Sequence, residues 1–387
     1  MKQPQGHQGS LTRRHWIVLA ASAVSAGCGG GSATTAGLPG TGGTGLFAQG
    51  TISGFGSVII NAIRFDDSAA TVTLDGQSAS AADLRLGMVA AVQAERGADL
   101  TQGKASSIEV WSVAQGLVSA GQATPGASGQ FTVSSMTVLT DANTIFDGIS
   151  AALPLRSGQR VAVWGLQAGS DGRSWSATRV AVVSSAIVVS SGLVSVAGGQ
   201  RSVNGLSLTG TVAATLTAGD LVRVQGSLSL TDGSLAVLSV RYPATAAAGA
   251  QQGEAEIEGL VTSTVSASRF SLGSVVVDAS QAVWSPAGAQ ITQGARVQVD
   301  GIWQSGVLKA SKVELEDAQS LEAVEISGVV QEFTSVGNFV VRSQRCDATG
   351  ANLGPATLAG LKVGAKVQLK GVKAGDVLRV TELQLDN

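Results

Sequence analysis

The sequence predicts an all-β protein in which about five small barrels of similar construction follow one another along the chain. Short segments bounded by glycine alternate apolar and polar residues with a period of two, the pattern of half-buried strands. The same elements recur five times along the chain. The 387 residues are 44% hydrophobic and only 13% charged, which excludes a solvated disordered chain. The apolar residues are dispersed, which excludes a bundle of membrane-spanning helices.

Each repeat opens with a glycine followed by an apolar pair or near-pair. The five openings are Gly50-Thr51-Ile52, Gly116-Leu117-Val118, Gly192-Leu193-Val194, Gly259-Leu260-Val261 and Gly328-Val329-Val330. Successive openings lie 66, 76, 67 and 69 residues apart. Periods of this length indicate a repeated structural unit.

A second element, L-x-x-G-x-x-V-x-V-x-G, follows in each repeat. It occupies residues 155–165, 216–226, 291–301 and 361–371, and a degraded copy occupies residues 84–94. Its first glycine predicts a turn with positive φ, and its alternating valines predict a strand with one face in the core. Arg223, Gln298 and Gln368 fall between the core positions, so we expect them to face away from their own core.

A closing strand repeats the alternation in every unit. Its five copies are centred on Glu109, Ala181, Ser239, Glu314 and Gln384. About five short strands in such a unit match the size of OB-type barrels. No segment after Cys28 sustains a helical stripe beyond about two turns, so a helical fold is excluded. A domain of this size is only marginally stable alone, so we expect neighbouring units to pack together.

These patterns divide the chain into eight segments. The repeats are predicted at residues 49–112, 113–185, 186–242, 254–317 and 323–387, after a signal peptide at 1–27 and a flexible tether at 28–48. The Ala-rich segment 243–253, which begins with a proline, is predicted to be a linker that separates three units from two.

The N-terminus has the composition of a secretory signal. Lys2, Arg13 and Arg14 precede an apolar run at residues 16–24, and small residues follow. The run is shorter than the roughly 20 residues that span a bilayer. The Gly-, Ser- and Thr-rich residues after Cys28 have a reach of about 25 Å, which suits a spacer above a lipid surface.

Ala26-Gly27-Cys28 resembles the lipobox of bacterial lipoproteins, although Ser25 replaces the usual leucine. The resemblance implies that Cys28 is lipidated and becomes the new N-terminus. Gly29, where retained lipoproteins carry Asp, implies sorting to the outer membrane. Arg13-Arg14 also resembles a twin-arginine export signal, so the general and twin-arginine routes both stay open. The predicted location is therefore the cell envelope, with a lipid anchor as the membrane contact.

Gly50 to Val58, together with Arg64-Phe65-Asp66 and the later G-x-x-V-x-V-x-G element, resembles a bacterial family catalogued as domain of unknown function 5666. The resemblance implies OB-like barrels in tandem behind a lipoprotein signal, over about residues 49–387. It is expected to be best in the first and fourth units and poorest in the third. The family has no assigned activity, so the resemblance implies no catalytic residue.

Removal of residues 1–27 would change the chemistry of the chain. Both histidines lie in that segment, and its three basic residues take the net charge from −2 to −5. The mature chain then lacks the usual general base and histidine metal ligand, so no cofactor and no metal are predicted. Cys346 is expected to be a structural thiol. A negative chain with scattered basic residues is a poor nucleic-acid ligand, so that partner is excluded.

Three alternating carboxylates, Glu254, Glu256 and Glu258, share one face of a predicted strand. A cation site or a glycosidase-like pair could use this arrangement. The favoured interpretation is a solvated edge strand whose charges deter aggregation.

Tryptophan occurs in most units. Trp111 and Trp164 lie on the parity opposite to Val110 and Val163, and with Trp303 they are candidates for stacking on sugar rings. The same residues suit contacts between packed repeats, which is the favoured interpretation.

The sequence therefore predicts a non-enzymatic, lipid-anchored envelope protein that binds a partner protein or a glycan. The alternative is an envelope hydrolase that uses paired carboxylates.

Overall fold

A computed structural model describes residues 45–243, 253–316, 323–374 and 377–386. The described residues form 29 strands, two 3₁₀ turns and one short helix, α1 (Pro355–Gly360), which confirms the all-β prediction. In the described part of the chain, no helix is long and apolar enough to span a membrane. The predicted signal peptide and Cys28 lie outside the described residues.

The strands form five barrels. Barrel 1 contains β1 (Gly45–Phe55), β2 (Val58–Ile60), β3 (Ile63–Asp66), β4 (Thr71–Leu74), β5 (Gln77–Ala79), β6 (Val89–Arg96) and β7 (Gln102–Val110). Barrel 2 contains β8 (Ala114–Gln122), β9 (Gly129–Val133), β10 (Met136–Thr140), β11 (Ile145–Asp147), β12 (Arg160–Gln167) and β13 (Ser174–Val182). Barrel 3 contains β14 (Val188–Ala197), β15 (Gln200–Val203), β16 (Leu206–Thr209), β17 (Leu221–Leu228) and β18 (Leu235–Arg241). Barrel 4 contains β19 (Glu254–Ser266), β20 (Arg269–Leu272), β21 (Val275–Asp278), β22 (Val283–Ser285), β23 (Arg296–Gln304) and β24 (Val307–Leu315). Barrel 5 contains β25 (Ala323–Ser335), β26 (Asn338–Val341), β27 (Gln344–Asp347), β28 (Lys366–Ala374) and β29 (Val377–Leu385).

All five barrels close in the same way. In barrel 4, β19 pairs antiparallel with β20 and β23, β21 runs parallel to β24, and β23 and β24 complete the ring. The corresponding strands pair in the same manner in the other four barrels. This closed five-stranded ring is an OB-like barrel, so the predicted tandem array is confirmed.

The two glycines of the repeated element are required for different structural reasons. The first is left-handed in every barrel, with φ between 77° and 89° at Gly87, Gly158, Gly219, Gly294 and Gly364. The second lies at a register shift between the last two strands. A Cβ on Gly226, for example, would lie 2.1 Å from the carbonyl oxygen of Ala236. The element therefore sets one turn and one bulge in each barrel.

Barrel 1 is the hub of the assembly. The start of β1 pairs in parallel with β19, and its end pairs in parallel with β25, so one sheet runs through barrels 1, 4 and 5. Barrels 2 and 3 share a second sheet, joined at Gln115 and Val189. We expected packing between neighbours along the chain, and the structure adds contacts between barrels that are distant in sequence.

The start of β1 corrects the predicted end of the tether. The tether was placed at residues 28–48, but the strand already begins at Gly45. Leu46 packs in the core of barrel 1, and Phe47 packs in the core of barrel 4. Residues 46–48 are all buried and all apolar, so this part of the strand lacks the alternation with a period of two that indicates the rest.

Candidate functional site

Charged side chains gather in the seams where the other barrels pack on barrel 1. Each seam contains an arginine that donates a hydrogen bond to an oxygen of barrel 1; these are Arg179, Arg223, Arg296 and Arg342 from barrels 2, 3, 4 and 5. Two seams differ most in their chemistry. We call the contact of barrel 1 with barrel 3 the arginine seam, and its contact with barrel 4 the carboxylate seam.

In the arginine seam, β17 directs Arg223 out of barrel 3 and into barrel 1. Nε donates to the carbonyl oxygen of Ser112 at 2.7 Å, and Nη2 donates to Oδ1 of Asp75 at 2.8 Å. Burial lowers the pKa of Arg223, and the Asp75 carboxylate opposes this shift. The predicted direction away from the barrel 3 core is therefore right, although Arg223 is only 7% exposed because barrel 1 covers it.

Trp111 fills the same seam from the side of barrel 1. The guanidinium carbons of Arg223 and Arg241 lie 4.9 Å and 4.1 Å from the centre of its ring. Arg241 also forms an ion pair with Glu109. Cation–π contacts with two arginines engage the aromatic ring on which a sugar would stack. Trp111 thus holds two barrels together, as the favoured interpretation predicts.

Trp164 and Trp303 are buried, with exposed fractions of 5% and 4%. Trp164 points out of barrel 2 but joins the apolar cluster of barrel 1. Trp303 lies on the same side of β23 as Val299, in the core of barrel 4. Their assignment as sugar-stacking residues is therefore wrong, because solvent does not reach either indole. Parity placed Trp164 on the outer face of its strand, but packing closed that face.

The carboxylate seam corrects the interpretation of the alternating glutamates. They share one face of β19, yet Glu256 and Glu258 are only 5% and 3% exposed. Their strand is not a solvated edge, because β1 pairs along it. Glu258 accepts hydrogen bonds from the backbone N of Thr51 and from Nε of Arg296, both at 2.6 Å.

Glu256 lies opposite Asp300 on the neighbouring strand. The side-chain amide of Gln298 donates to Oε1 of Glu256 at 2.9 Å and to Oδ1 of Asp300 at 3.4 Å. Arg96 of barrel 1 lies 3.0 Å from Glu254 and 3.4 Å from Glu256. Burial, and then the Asp300 charge, raise the pKa of Glu256 to about 8 despite Arg96. The seam therefore favours the protonated form of this glutamate more than water does.

These carboxylates form contacts that hold barrel 4 against barrel 1. A glycosidase pair must flank a cleft that admits a sugar, whereas Glu256 and Glu258 are covered by barrel 1 and hydrogen-bonded within the seam.

Cys346 is equally enclosed, at 1% exposed, and its thiol donates to the carbonyl oxygen of Gln344 at 3.3 Å. Burial raises the pKa of Cys346 to about 12, so the thiol is not a nucleophile at neutral pH.

Two cavities lie where several barrels meet. The smaller, of about 170 Å³, is bordered by Trp111, Trp175 and Arg223. The larger, of about 760 Å³, is lined by residues of barrels 1, 2, 4 and 5. We call the latter the large cavity. No local sequence pattern indicates either cavity, because the walls come from segments far apart along the chain.

One signal for the seams was present in the sequence. The residue between the two core positions of the V-x-V element is Ala91 in barrel 1 and Ala162 in barrel 2. Ala162 is 2% exposed in the structure, and Ala91 packs against the core of barrel 4. Small apolar residues at positions that face out of a barrel indicate a second barrel packed closely there.

The comparisons with known proteins agree with the domain type. Residues 115–181 and 258–314, in barrels 2 and 4, match the family model of a domain of unknown function, DUF5666. The expected resemblance is confirmed in the fourth unit, and the second unit matches as well, whereas the matched ranges do not include the first unit. No curated protein matches the sequence.

A solved structure described as drosophila Unr CSD456 is 14% identical, and the alignment covers 51% of this chain and 97% of that chain. Its TM-score of 0.14 is too low to indicate a shared function. Each matched range contains a complete copy of the repeated element, at residues 155–165 and 291–301. The chain is therefore similar to the DUF5666 family in barrels 2 and 4, and three further barrels have the same strand pairing.

Proposed function

We propose that the chain is a non-enzymatic, lipid-anchored protein of the cell envelope whose barrels form a scaffold for a partner. One observation carries this proposal: four barrels pack around barrel 1, and the charged side chains in their seams form hydrogen bonds between barrels. Such packing gives a shaped surface, and it leaves Glu256, Glu258 and Cys346 enclosed.

A protein partner is better supported than a glycan. The candidates for sugar stacking are Trp111, Trp164 and Trp303, and two of these indoles are buried while the third contacts two arginines. Recognition of a sugar usually needs an accessible aromatic face. A protein can instead be held by the shape and polarity of the barrel surfaces.

The anchor is tested by growing cells with a labelled fatty acid. We expect the label on the wild-type chain and none on a Cys28→Ala variant, because only that sulfur would carry the acyl groups. A Ser25→Leu variant, which brings the motif closer to the lipobox, is the matched control and should keep the label. Label that persists on Cys28→Ala would overturn the anchor.

The binding role is tested with purified chain, peptidoglycan, a glycan array and chromogenic glycosides. We expect no hydrolysis product and no glycan binding, together with reproducible cross-linking to an envelope protein in cells. Glycan binding that is lost in Trp111→Ala would establish the glycan alternative. Product formation that is lost in Glu256→Gln would establish the hydrolase.

A further inference from the structure

We propose that the large cavity binds a small, uncharged and largely apolar molecule. Its volume of about 760 Å³ falls in the range of roughly 300–1,000 Å³ that ligand pockets occupy in proteins. Packed interiors leave few voids larger than a water molecule. This site does not depend on the location of the protein or on a macromolecular partner.

The walls of the large cavity are mainly apolar. They include Leu86, Leu139, Ile145, Leu166 and Leu260, from barrels 1, 2 and 4. Leu139 is 37% exposed, so part of this apolar surface contacts water when no ligand is bound. A ligand that displaces this water gains about 25 cal/mol for each Å² of apolar surface that it covers.

The charges of the lining balance one another. Arg296 and Lys373 supply two positive charges, and Asp141 and Glu316 supply two negative charges. Nε of Arg296 lies 2.8 Å from Oε2 of Glu316. Oδ1 of Asp141 accepts hydrogen bonds from the backbone N of Asn143 and of Thr144, at 2.8 Å and 3.0 Å. A charged ligand would lose hydration without meeting an opposite excess charge, so the cavity favours an uncharged one.

Polar specificity would come from hydroxyl groups. Ser53 and Ser176 both line the large cavity, and Ser176 lies directly opposite Leu139 on the paired strands β13 and β10. The Ser176 hydroxyl beside this apolar wall suits a ligand with an apolar body and a single hydrogen-bonding group. Because the walls come from four barrels, binding should also stabilise their assembly.

The test uses N-phenyl-1-naphthylamine, an uncharged apolar probe whose fluorescence rises when it leaves water. We expect saturable binding to the purified full chain, with one site per chain. Leu139→Trp and Ser176→Phe each fill the cavity, and we expect each to weaken binding at least tenfold. Leu117→Trp is the matched control, because Leu117 is a 47% exposed residue of the same barrel that does not line the cavity.

Two results would overturn the proposal. One is the absence of saturable binding to the wild-type chain. The other is unchanged binding in a cavity variant whose circular dichroism matches the wild type. The preference for an uncharged ligand is tested with 8-anilino-1-naphthalenesulfonate, which has the same ring system and a negatively charged sulfonate. We expect this probe to bind at least tenfold more weakly than N-phenyl-1-naphthylamine. Equal or tighter binding of the sulfonate would overturn the preference for an uncharged ligand.

Discussion

The arginine seam and the carboxylate seam both bury charge against barrel 1, but they balance that charge differently. In the arginine seam, Arg223 meets the Asp75 carboxylate, the Ser112 carbonyl oxygen and the Trp111 ring. In the carboxylate seam, Glu254 and Glu256 approach the single guanidinium of Arg96, and Asp300 lies beside Glu256. The first seam is neutral as built. The second has more carboxylates than guanidinium groups, and protonation of Glu256 reduces this excess negative charge.

The difference shows how similar barrels can form contacts with different sensitivities. A buried ion pair is held by both partners, and the loss of one leaves the other without compensation. A protonated carboxyl instead depends on the surrounding solution, because its proton can leave. We therefore expect mutation to affect the arginine seam most, and pH to affect the carboxylate seam most.

The largest effect is expected for Arg223→Met. Methionine keeps part of the apolar stem but leaves Asp75, whose side chain is 25% exposed, without its cation. We expect the free energy of unfolding to fall by about 2–4 kcal/mol, as measured by urea denaturation. The double variant Arg223→Met with Asp75→Asn should recover part of this loss. A loss below about 1 kcal/mol would show that the seam does not depend on the pair.

A smaller, pH-dependent effect is expected for Glu256→Gln. The pKa of Glu256 is raised from 4.5 to about 8 in the folded chain, so the folded state keeps a proton that the unfolded state has released. Its contribution to the free energy of unfolding is complete below about pH 4.5, and it is lost as pH rises to about 8. We expect this loss to be on the order of a few kcal/mol, and the amide should abolish it.

Urea denaturation at pH 5, 6, 7 and 8 measures this slope. The matched control is Glu382→Gln, because that side chain is 63% exposed on barrel 5 and its variant should keep the wild-type slope. If Glu256→Gln also kept the wild-type slope, the proton would not belong to the carboxylate seam.

The smallest effect is expected for Lys370→Met. Its ammonium lies 3.7 Å from Glu382, and both side chains are more than half exposed. Exposed pairs contribute little because water and salt screen them, so we expect a change of no more than about 0.5 kcal/mol. Urea denaturation at neutral pH gives the baseline for the two seams, and a change as large as that of Arg223→Met would erase the contrast between buried and exposed pairs.

Much of each barrel could be predicted because its signals are local. The left-handed turn at Gly158 and the bulge at Gly165 are set by a few adjacent residues, as is the alternation of Val161 and Val163. Such features depend on backbone sterics and side-chain period, so neighbouring residues are enough to indicate them.

The seams were missed because their signals are not local. Parity placed Trp164 outside barrel 2 and the glutamates on one face of β19, and both placements are right. What covers those faces is another barrel, contributed by a segment far away along the chain. Ala91 belongs to the copy of the element that the pattern marks as degraded, and Ala162 lies between two core valines. Both alanines mark close contact between barrels.

The amino-acid pattern alone determined that this protein is a series of OB-like barrels, because turns, bulges and alternating faces follow from nearest neighbours in the chain. The predicted export signal and lipid anchor at Cys28 also come from sequence, and they stay predictions. Only the tertiary structure decided which outer faces are buried, that the pKa of Glu256 is raised, and that a large cavity forms between barrels. The physical reason is that burial and electrostatics depend on which distant surfaces meet, and no short segment encodes that choice.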